Sequence, residues 1–133
     1  MIDKNTLHAA IDAGAKPGRS LKLYVGAGSY KTDISALHTA LAGTPAEGWT
    51  LTRAEGGYRD PQGWWTTEPA LVVEVISTDY DSSTDDAVVE AVARWAHGNG
   101  EKTILLVLNN GYADLFVSTL DLQSLLEAST VGV

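Results

Sequence analysis

The sequence predicts an α+β fold, a ferredoxin-like sandwich in which an antiparallel sheet carries helices on one face. The first observation is the order of apolar periodicities: helix, strand, helix, strand, strand, helix, strand, strand, helix. The second is a long amphipathic helix that ends at Gly98, and the third is the hairpin signal Asn110-Gly111. We expect one domain over 1–133, with the ferredoxin-like core at about 20–118.

The N-terminal part of the chain predicts a short amphipathic helix followed by a strand. Asn5 or Thr6 would cap a helix over about 5–14, in which apolar residues recur at helical spacing and Gly14 is the stop. The segment 21–25 alternates apolar and other residues, as strands do.

The glycines after this strand do not complete a dinucleotide-binding fingerprint. Gly26 and Gly28 fit its first two positions, but Lys31 stands at the third. Glycines here still permit the backbone to approach a ligand closely. Asp33 would then cap a helix over 34–42.

Two strands are predicted in the middle of the chain. The segment 49–53 alternates as a half-buried strand, and 70–76 is apolar enough to be covered on most of both faces. Its one carboxylate, Glu74, is expected at a sheet edge or a subunit seam. A homo-oligomer that covers the sheet is therefore expected.

The acidic segment 79–86 lacks the glycine and the final glutamate of a calcium loop. It fits a helix start, where a hydroxyl side chain caps and Asp85 and Asp86 complement the helix dipole. The candidate caps are Ser82, Ser83 and Thr84.

Two strands and a helix are predicted at the C-terminal end. A buried strand over 102–108 and a returning strand over 112–117 flank the Asn-Gly turn. A final helix over about 121–128 would begin at Asp121 or Ser124.

Composition excludes several classes of function. Acidic residues outnumber basic ones by 17 to 9, and the net charge of -8 argues against a nucleic-acid partner. The chain has no cysteine, so thiolate chemistry is absent. His8, His38 and His97 stand at no metal-ligand spacing, and no metal or other cofactor is expected. Without a secretion signal or a membrane-spanning apolar run, the expected location is the cytoplasm, with no membrane contact.

The segment 53–68 combines carboxylates, aromatic rings and glycines between two predicted strands. These carboxylates and rings are Glu55, Asp60, Glu68, Tyr58, Trp64 and Trp65. Aromatic faces attract cations, and a carboxylate can hold an ammonium group or a pair of ribose hydroxyls. The segment therefore predicts a loop that binds a cationic, ribose-bearing ligand. The alternative is an ordinary hairpin whose rings pack on a neighbour.

The run Gly57-Tyr58-Arg59-Asp60, with Glu68 leading into an alternating apolar strand, resembles the core of the phage-encoded S-adenosylmethionine lyases, long called S-adenosylmethionine hydrolases. The resemblance covers roughly residues 22–118. Three further segments resemble the family and follow in a similar order. They are 23–25 before a loop of small residues, 91–95 in the long helix and 103–107 in the next strand.

This resemblance implies a subunit similar to the PII-type nitrogen-regulatory proteins, assembled as a homotrimer with the ligand between subunits. It implies cleavage of S-adenosylmethionine to 5'-methylthioadenosine and homoserine lactone, which counters host restriction-modification. The substrate's own carboxylate can attack its γ-carbon and expel a neutral thioether. No protein base is then required, and the protein contributes orientation and a dry site.

Individual site residues carry over from the resemblance. The expected catalytic residues are Tyr58, which would orient the reacting chain, and Glu68, which would anchor the α-ammonium or the ribose. Pro69 stands where some relatives have a second acid, so the resemblance supplies no carboxylate pair. The expected substrate-binding residues are Gly26, Ala27, Gly28, Ser29, Gly57, Arg59 and Trp64, with Trp64 closing the pocket.

Two other interpretations stay open. A non-catalytic trimer of the same fold would sequester or sense a nucleotide or adenosyl ligand, and tight binding without product would identify it. A structural phage or assembly subunit would use the aromatic segment for packing alone. Adenosyl compounds would then leave its melting temperature unchanged.

Overall fold

The computed structural model describes residues 1–14, 18–26, 34–77, 82–109 and 114–131, with side chains to residue 128. Within these ranges the chain alternates helices and strands in the predicted order. The elements are α1 (Lys4–Gly14), β1 (Arg19–Gly26), α2 (Ser35–Ala42), β2 (Thr50–Arg59), β3 (Trp65–Ser77), α3 (Ser82–Gly98), β4 (Thr103–Asn109), β5 (Leu115–Asp121) and α4 (Leu122–Val131).

The strands form one antiparallel sheet in the order β2-β3-β1-β4-β5. The first four strands have the order of a ferredoxin-like sandwich, and β5 extends the sheet as the hairpin partner of β4. The helices α2 and α3 pack against each other and against one face of the sheet. The predicted α+β class and ferredoxin-like architecture are confirmed.

The core lies between the sheet and its helices because the central strands bury alternate side chains. Leu23 of β1 faces Val73 of β3 and Leu106 of β4 in the sheet register. Full burial of such a side chain contributes roughly 1.5–3 kcal/mol relative to exposure, so this layer dominates the stability of the fold. The buried side chains are Leu21, Leu23, Val25, Leu37, Leu41, Leu71, Val73, Val75, Val88, Val92, Ala93, Ala96, Ile104 and Leu122.

In the described part of the chain, the helices pack on one face of the sheet and leave the other face uncovered. We call this second face the open face. The strand over 70–76 is therefore buried on one face, not on most of both. Glu74 lies on the open face of an interior strand, not at a sheet edge, and its Oε2 is 3.4 Å from Lys22 Nζ. Large apolar side chains exposed on this face are Tyr24, Ile76, Leu105, Leu115 and Val117.

The N-terminal helix α1 begins one residue earlier than expected. Asp3 accepts hydrogen bonds from the backbone N–H of Asn5 and the hydroxyl of Thr6, both at 3.4 Å. The cap is thus Asp3, because its carboxylate reaches the first helical turn, and not Asn5 or Thr6.

Carboxylates at the other helix starts have specific partners. Asp85 forms an ion pair with Arg19, which links the start of α3 to the start of β1. Asp121, one of the two residues expected to start the last helix, caps α4. Its Oδ1 accepts a hydrogen bond from Ser124 N at 2.9 Å. Hydrogen bonds from Ser124 lower the pKa of Asp121 below its ordinary value. The expected cap Asp33 and the Asn-Gly turn lie outside the described residues.

Across the described ranges, no helix is long and apolar enough to span a membrane.

Candidate functional site

The segment 53–68 forms most of a long β-hairpin, so the loop prediction was wrong and the hairpin alternative describes the backbone. Strand β2 continues to Arg59 and β3 starts at Trp65, which leaves residues 60–64 for the turn. Asp60 stabilises this turn: its backbone O accepts from Gly63 N at 3.0 Å, and its Oδ1 accepts from Trp64 N at 3.0 Å. Gly63 has φ of +88°, a conformation that favours glycine.

The hairpin register brings Tyr58 and Glu68 together on the open face. Tyr58 lies opposite Thr66, and Glu68 lies opposite Gly56, so the two side chains are diagonal neighbours. Such neighbours are about 7–8 Å apart, within reach of a long side chain or a shared ligand. Gly56 adds no side chain beside Glu68. Tyr58 is 51% exposed, so its ring is accessible to a ligand or a second subunit.

The same register places two other expected site residues on the opposite face of the hairpin. Gly57 pairs with Thr67, and Arg59 pairs with Trp65, one position out of phase with Tyr58 and Glu68. The Arg59 guanidinium donates to the backbone O of Gly63 at 3.2 Å, so it supports the turn.

The remaining expected site residues lie at the turn and after β1. Trp64 is in the turn and is 75% exposed. Gly26 is the last residue of β1 and lies opposite Ala70, two residues from Glu68 on the same face. Ala27, Gly28 and Ser29 lie outside the described residues.

A second carboxylate, Glu101, reaches this end of the sheet from the loop between α3 and β4. A Cβ atom placed on Gly26 would lie 2.7 Å from Glu101 Oε2 and 3.0 Å from its Cδ. Glycine at position 26 therefore leaves the space that the Glu101 carboxylate occupies. The loop itself is held by a hydrogen bond from Glu101 N to Ala96 O at 3.0 Å.

The negative charge of Glu68 acts on the Glu101 carboxylate. Burial raises the pKa of Glu101, and the negative charge of Glu68 raises it further. Two carboxylates held near each other favour a cation between them, because the cation relieves their repulsion. We call Gly26, Tyr58, Glu68 and Glu101 the sheet-end site.

Sequence reasoning missed Glu101. The resemblance offered no second acid beside Glu68, because Pro69 follows it, and the positions 68 and 101 meet only through the sheet order. A weak signal was present: Glu101 is the one carboxylate between the glycine that stops α3 and the following apolar strand.

A cavity of about 410 Å³ adjoins the sheet-end site at Glu101. This volume falls in the range of small-molecule sites, about 300–1,000 Å³. Its polar lining can donate to and accept from a hydroxylated ligand. The lining residues are His97, Gly100, Glu101, Lys102, Asp121 and Gln123.

The histidines form no metal centre in the described part of the chain, where no three His, Cys, Asp or Glu side chains cluster suitably for a metal ion. His38 Nδ1 accepts a hydrogen bond from Trp49 Nε1 at 2.9 Å. This bond requires the tautomer with its proton on Nε2.

No family model and no curated protein sequence matches the chain. Among solved structures, its fold is similar to a phage SAM lyase in complex with S-methyl-5'-thioadenosine, with a TM-score of 0.57 and 14% identity. That match covers 80% of this chain and 92% of the lyase chain. A phage SAM lyase in the apo state gives a TM-score of 0.54 and 16% identity, covering 77% and 90% of the two chains. The expected resemblance is confirmed for the fold.

Proposed function

We propose that this chain binds S-adenosylmethionine at the sheet-end site and cleaves it to 5'-methylthioadenosine and L-homoserine lactone. The observation that carries the proposal is the convergence of Tyr58, Glu68 and Glu101 beside Gly26. These groups lie in a chain whose fold is similar to that of a phage SAM lyase solved with methylthioadenosine. The substrate carries a sulfonium and an ammonium, and a protein of net charge -8 with a carboxylate pair attracts such cations.

The proposed reaction needs no proton transfer to or from the protein. A carboxylate oxygen of the substrate forms a bond to the substrate's γ-carbon while the bond from that carbon to sulfur breaks. The electron pair goes to sulfur, so the sulfonium becomes the neutral thioether of methylthioadenosine. The lactone keeps the α-ammonium. Alignment of attacker and leaving group is the main requirement, and orientation contributes about 7–11 kcal/mol in the best intramolecular systems.

Each residue of the sheet-end site has a role in that alignment. Glu68 anchors the α-ammonium or the ribose, and Glu101 holds whichever of these two groups Glu68 does not. The Tyr58 hydroxyl orients the folded methionine chain, and the backbone at Gly26 lines the adenosine or the sulfonium, with the Glu101 carboxylate in the space left by the missing side chain. The further substrate contacts expected from Ala27, Gly28, Ser29, Gly57, Arg59 and Trp64 stay predictions.

The proposal includes a homotrimer with sites between subunits. It is supported by the apolar open face and by the exposure of Tyr58 and Trp64, at 51% and 75%. A neighbouring subunit that covers this face would bury apolar surface and exclude water from the reacting groups. In a phage-infected cell, the activity would act in the host cytoplasm and remove the methyl donor on which restriction-modification depends.

The test is to incubate the purified chain with S-adenosylmethionine and to resolve the products by mass at short times. Methylthioadenosine with homoserine lactone, appearing before homoserine, is the expected result. Homoserine from the outset would establish hydrolysis. Intact substrate bound tightly would favour the sequestering protein, and intact substrate with no change in melting temperature would favour the structural subunit.

A pair of variants tests the assignment of Glu68. Glu68→Gln removes one charge of the carboxylate pair and is expected to abolish most of the turnover. The matched control is Glu55→Gln, because Glu55 is exposed on the opposite face of the same hairpin, opposite Pro69. Full turnover by Glu68→Gln with an intact oligomer would exclude the assigned role.

A further inference from the structure

The N-terminal helix α1 presents an apolar stripe to solvent. Leu7 and Ile11 are one helical turn apart and are 43% and 53% exposed. No residue of α1, all of which the structure describes, is buried. Helices of about 12 residues or fewer are marginal in water, so an 11-residue helix with an apolar stripe is stabilised chiefly by packing on a partner surface.

A groove between α3 and α4 provides such a surface. Its volume is about 370 Å³, and the apolar side chains that line it pack against the core but stay partly exposed. Two carboxylates, Asp86 and Glu90, also line it. We call it the α3–α4 groove; its apolar lining residues are Val89, Leu106, Leu120, Leu125 and Leu126.

The stripe and the groove are complementary in chemistry. Lys4 precedes Leu7 by three residues and Ile11 by seven, which places all three on one side of α1. Leu7 and Ile11 match the apolar lining of the groove, and Lys4 matches the carboxylate of Asp86, whereas Glu90 already pairs with Arg94 at 2.8 Å. Amphipathic helices commonly bind hydrophobic grooves in this way.

We propose that α1 of one copy of the chain docks in the α3–α4 groove of a second copy. The chain's own α1 leaves its groove open, since no residue of α1 lines it. Exchange between copies pairs the stripe and the groove of every subunit, as in domain swapping, and gives a closed assembly. The contact uses no residue of the sheet-end site, so it stands independently of the proposed reaction.

Cross-linking tests this proposal directly, because the chain has no cysteine of its own. The full-length double variant Leu7→Cys/Val89→Cys is treated with a short bis-maleimide and run on a denaturing gel. Covalent dimers and larger multimers are expected. The matched control is Ala9→Cys/Val89→Cys, because Ala9 lies on the other side of α1, and it is expected to stay largely monomeric.

Three outcomes of this cross-linking would overturn the proposal. A cross-linked monomer would place α1 in the groove of its own chain, and the absence of any cross-link would remove the contact altogether. Preferential linkage when Leu105→Cys on the open face replaces Val89→Cys would mean that α1 covers that face. In a second measurement, Ile11→Asp is added to the Leu7→Cys/Val89→Cys variant and is expected to remove most of the cross-linked multimers while the fold, read by circular dichroism, persists; an unchanged yield of multimers also contradicts the proposal.

Discussion

The carboxylate of Glu101 lies against Gly26, where the negative charge of Glu68 contributes to its raised pKa. Glu68 in strand β3 and Glu101 in the loop before β4 thus lie towards the same end of the sheet, although neither has an acidic neighbour in the sequence. Such a pair is unfavourable in the empty protein and becomes favourable when a cation binds. This relationship underlies the first two predictions.

Glu101→Gln is expected to stabilise the empty protein and to weaken its binding of S-adenosylmethionine. Because the folded-state pKa of Glu101 is raised above 4.5, the folded state holds the proton more tightly than the unfolded state does. Glu101 therefore lowers stability as pH rises from about 4.5 through the raised pKa. The melting temperature of the variant should exceed that of the wild type at neutral pH and match it near pH 4. Calorimetric titration measures the affinity, and unchanged affinity would contradict the role of Glu101 in the site.

Gly26→Ala is expected to reduce binding and turnover without unfolding the protein. The new Cβ would displace the Glu101 carboxylate, which is the mobile end of a flexible side chain, and not a backbone atom. Gly48→Ala is the control, because a Cβ at that position meets nothing within 4 Å. Thermal melts and product assays of both variants give the comparison. Equal activity of the two variants would show that the position of Glu101 does not matter.

Tyr58→Phe is expected to lower kcat by about tenfold, the effect of one lost hydrogen bond of roughly 1.4 kcal/mol. The exposed hydroxyl contributes little to the fold, so the melting temperature should not change. Trp65→Phe is a matched change on the opposite face of the same hairpin and should leave kcat unaltered. Steady-state kinetics resolve kcat from KM, and a wild-type kcat for Tyr58→Phe would mean that its hydroxyl plays no part.

The ion pair between Arg19 and Asp85 is expected to be strongly coupled. Their side chains are only 10% and 14% exposed, so removing one partner leaves a charge with little access to water. Arg19→Met or Asp85→Leu should each lower the free energy of unfolding by about 3 kcal/mol. The double variant should lose less than the sum of the two. Urea denaturation of all three checks this, and simple additivity would show that the pair contributes no specific interaction.

Several features of the fold follow from local sequence. Alternation over 21–25 predicted which side chains of β1 enter the core, and the helical pattern ending at Gly98 predicted α3. The hairpin turn was also visible: Asp60-Pro61-Gln62-Gly63 has the residue preferences of a type I turn. The loop prediction gave too much weight to the mixture of rings and charges in 53–68 and too little to this turn.

The arrangement of the candidate site depends on interactions that sequence spacing does not contain. Tyr58 and Arg59 are adjacent in β2 and so point to opposite faces, but only the pairing of β2 with β3 determines that Tyr58 shares its face with Glu68. Whether one face or both faces of β3 are buried likewise depends on where the helices pack against the sheet.

The sequence by itself determined the order of elements, the apolar side of β1, and the choice of Tyr58 and Glu68 as candidate residues, since periodicity and motif are properties of short segments. Only the tertiary structure decided that the Glu101 carboxylate lies against Gly26, where the charge of Glu68 acts on it, and that α1 stays off the core. Both outcomes come from long-range packing: the strand order brings together residues that are far apart in the chain, and the core is complete without the N-terminal helix.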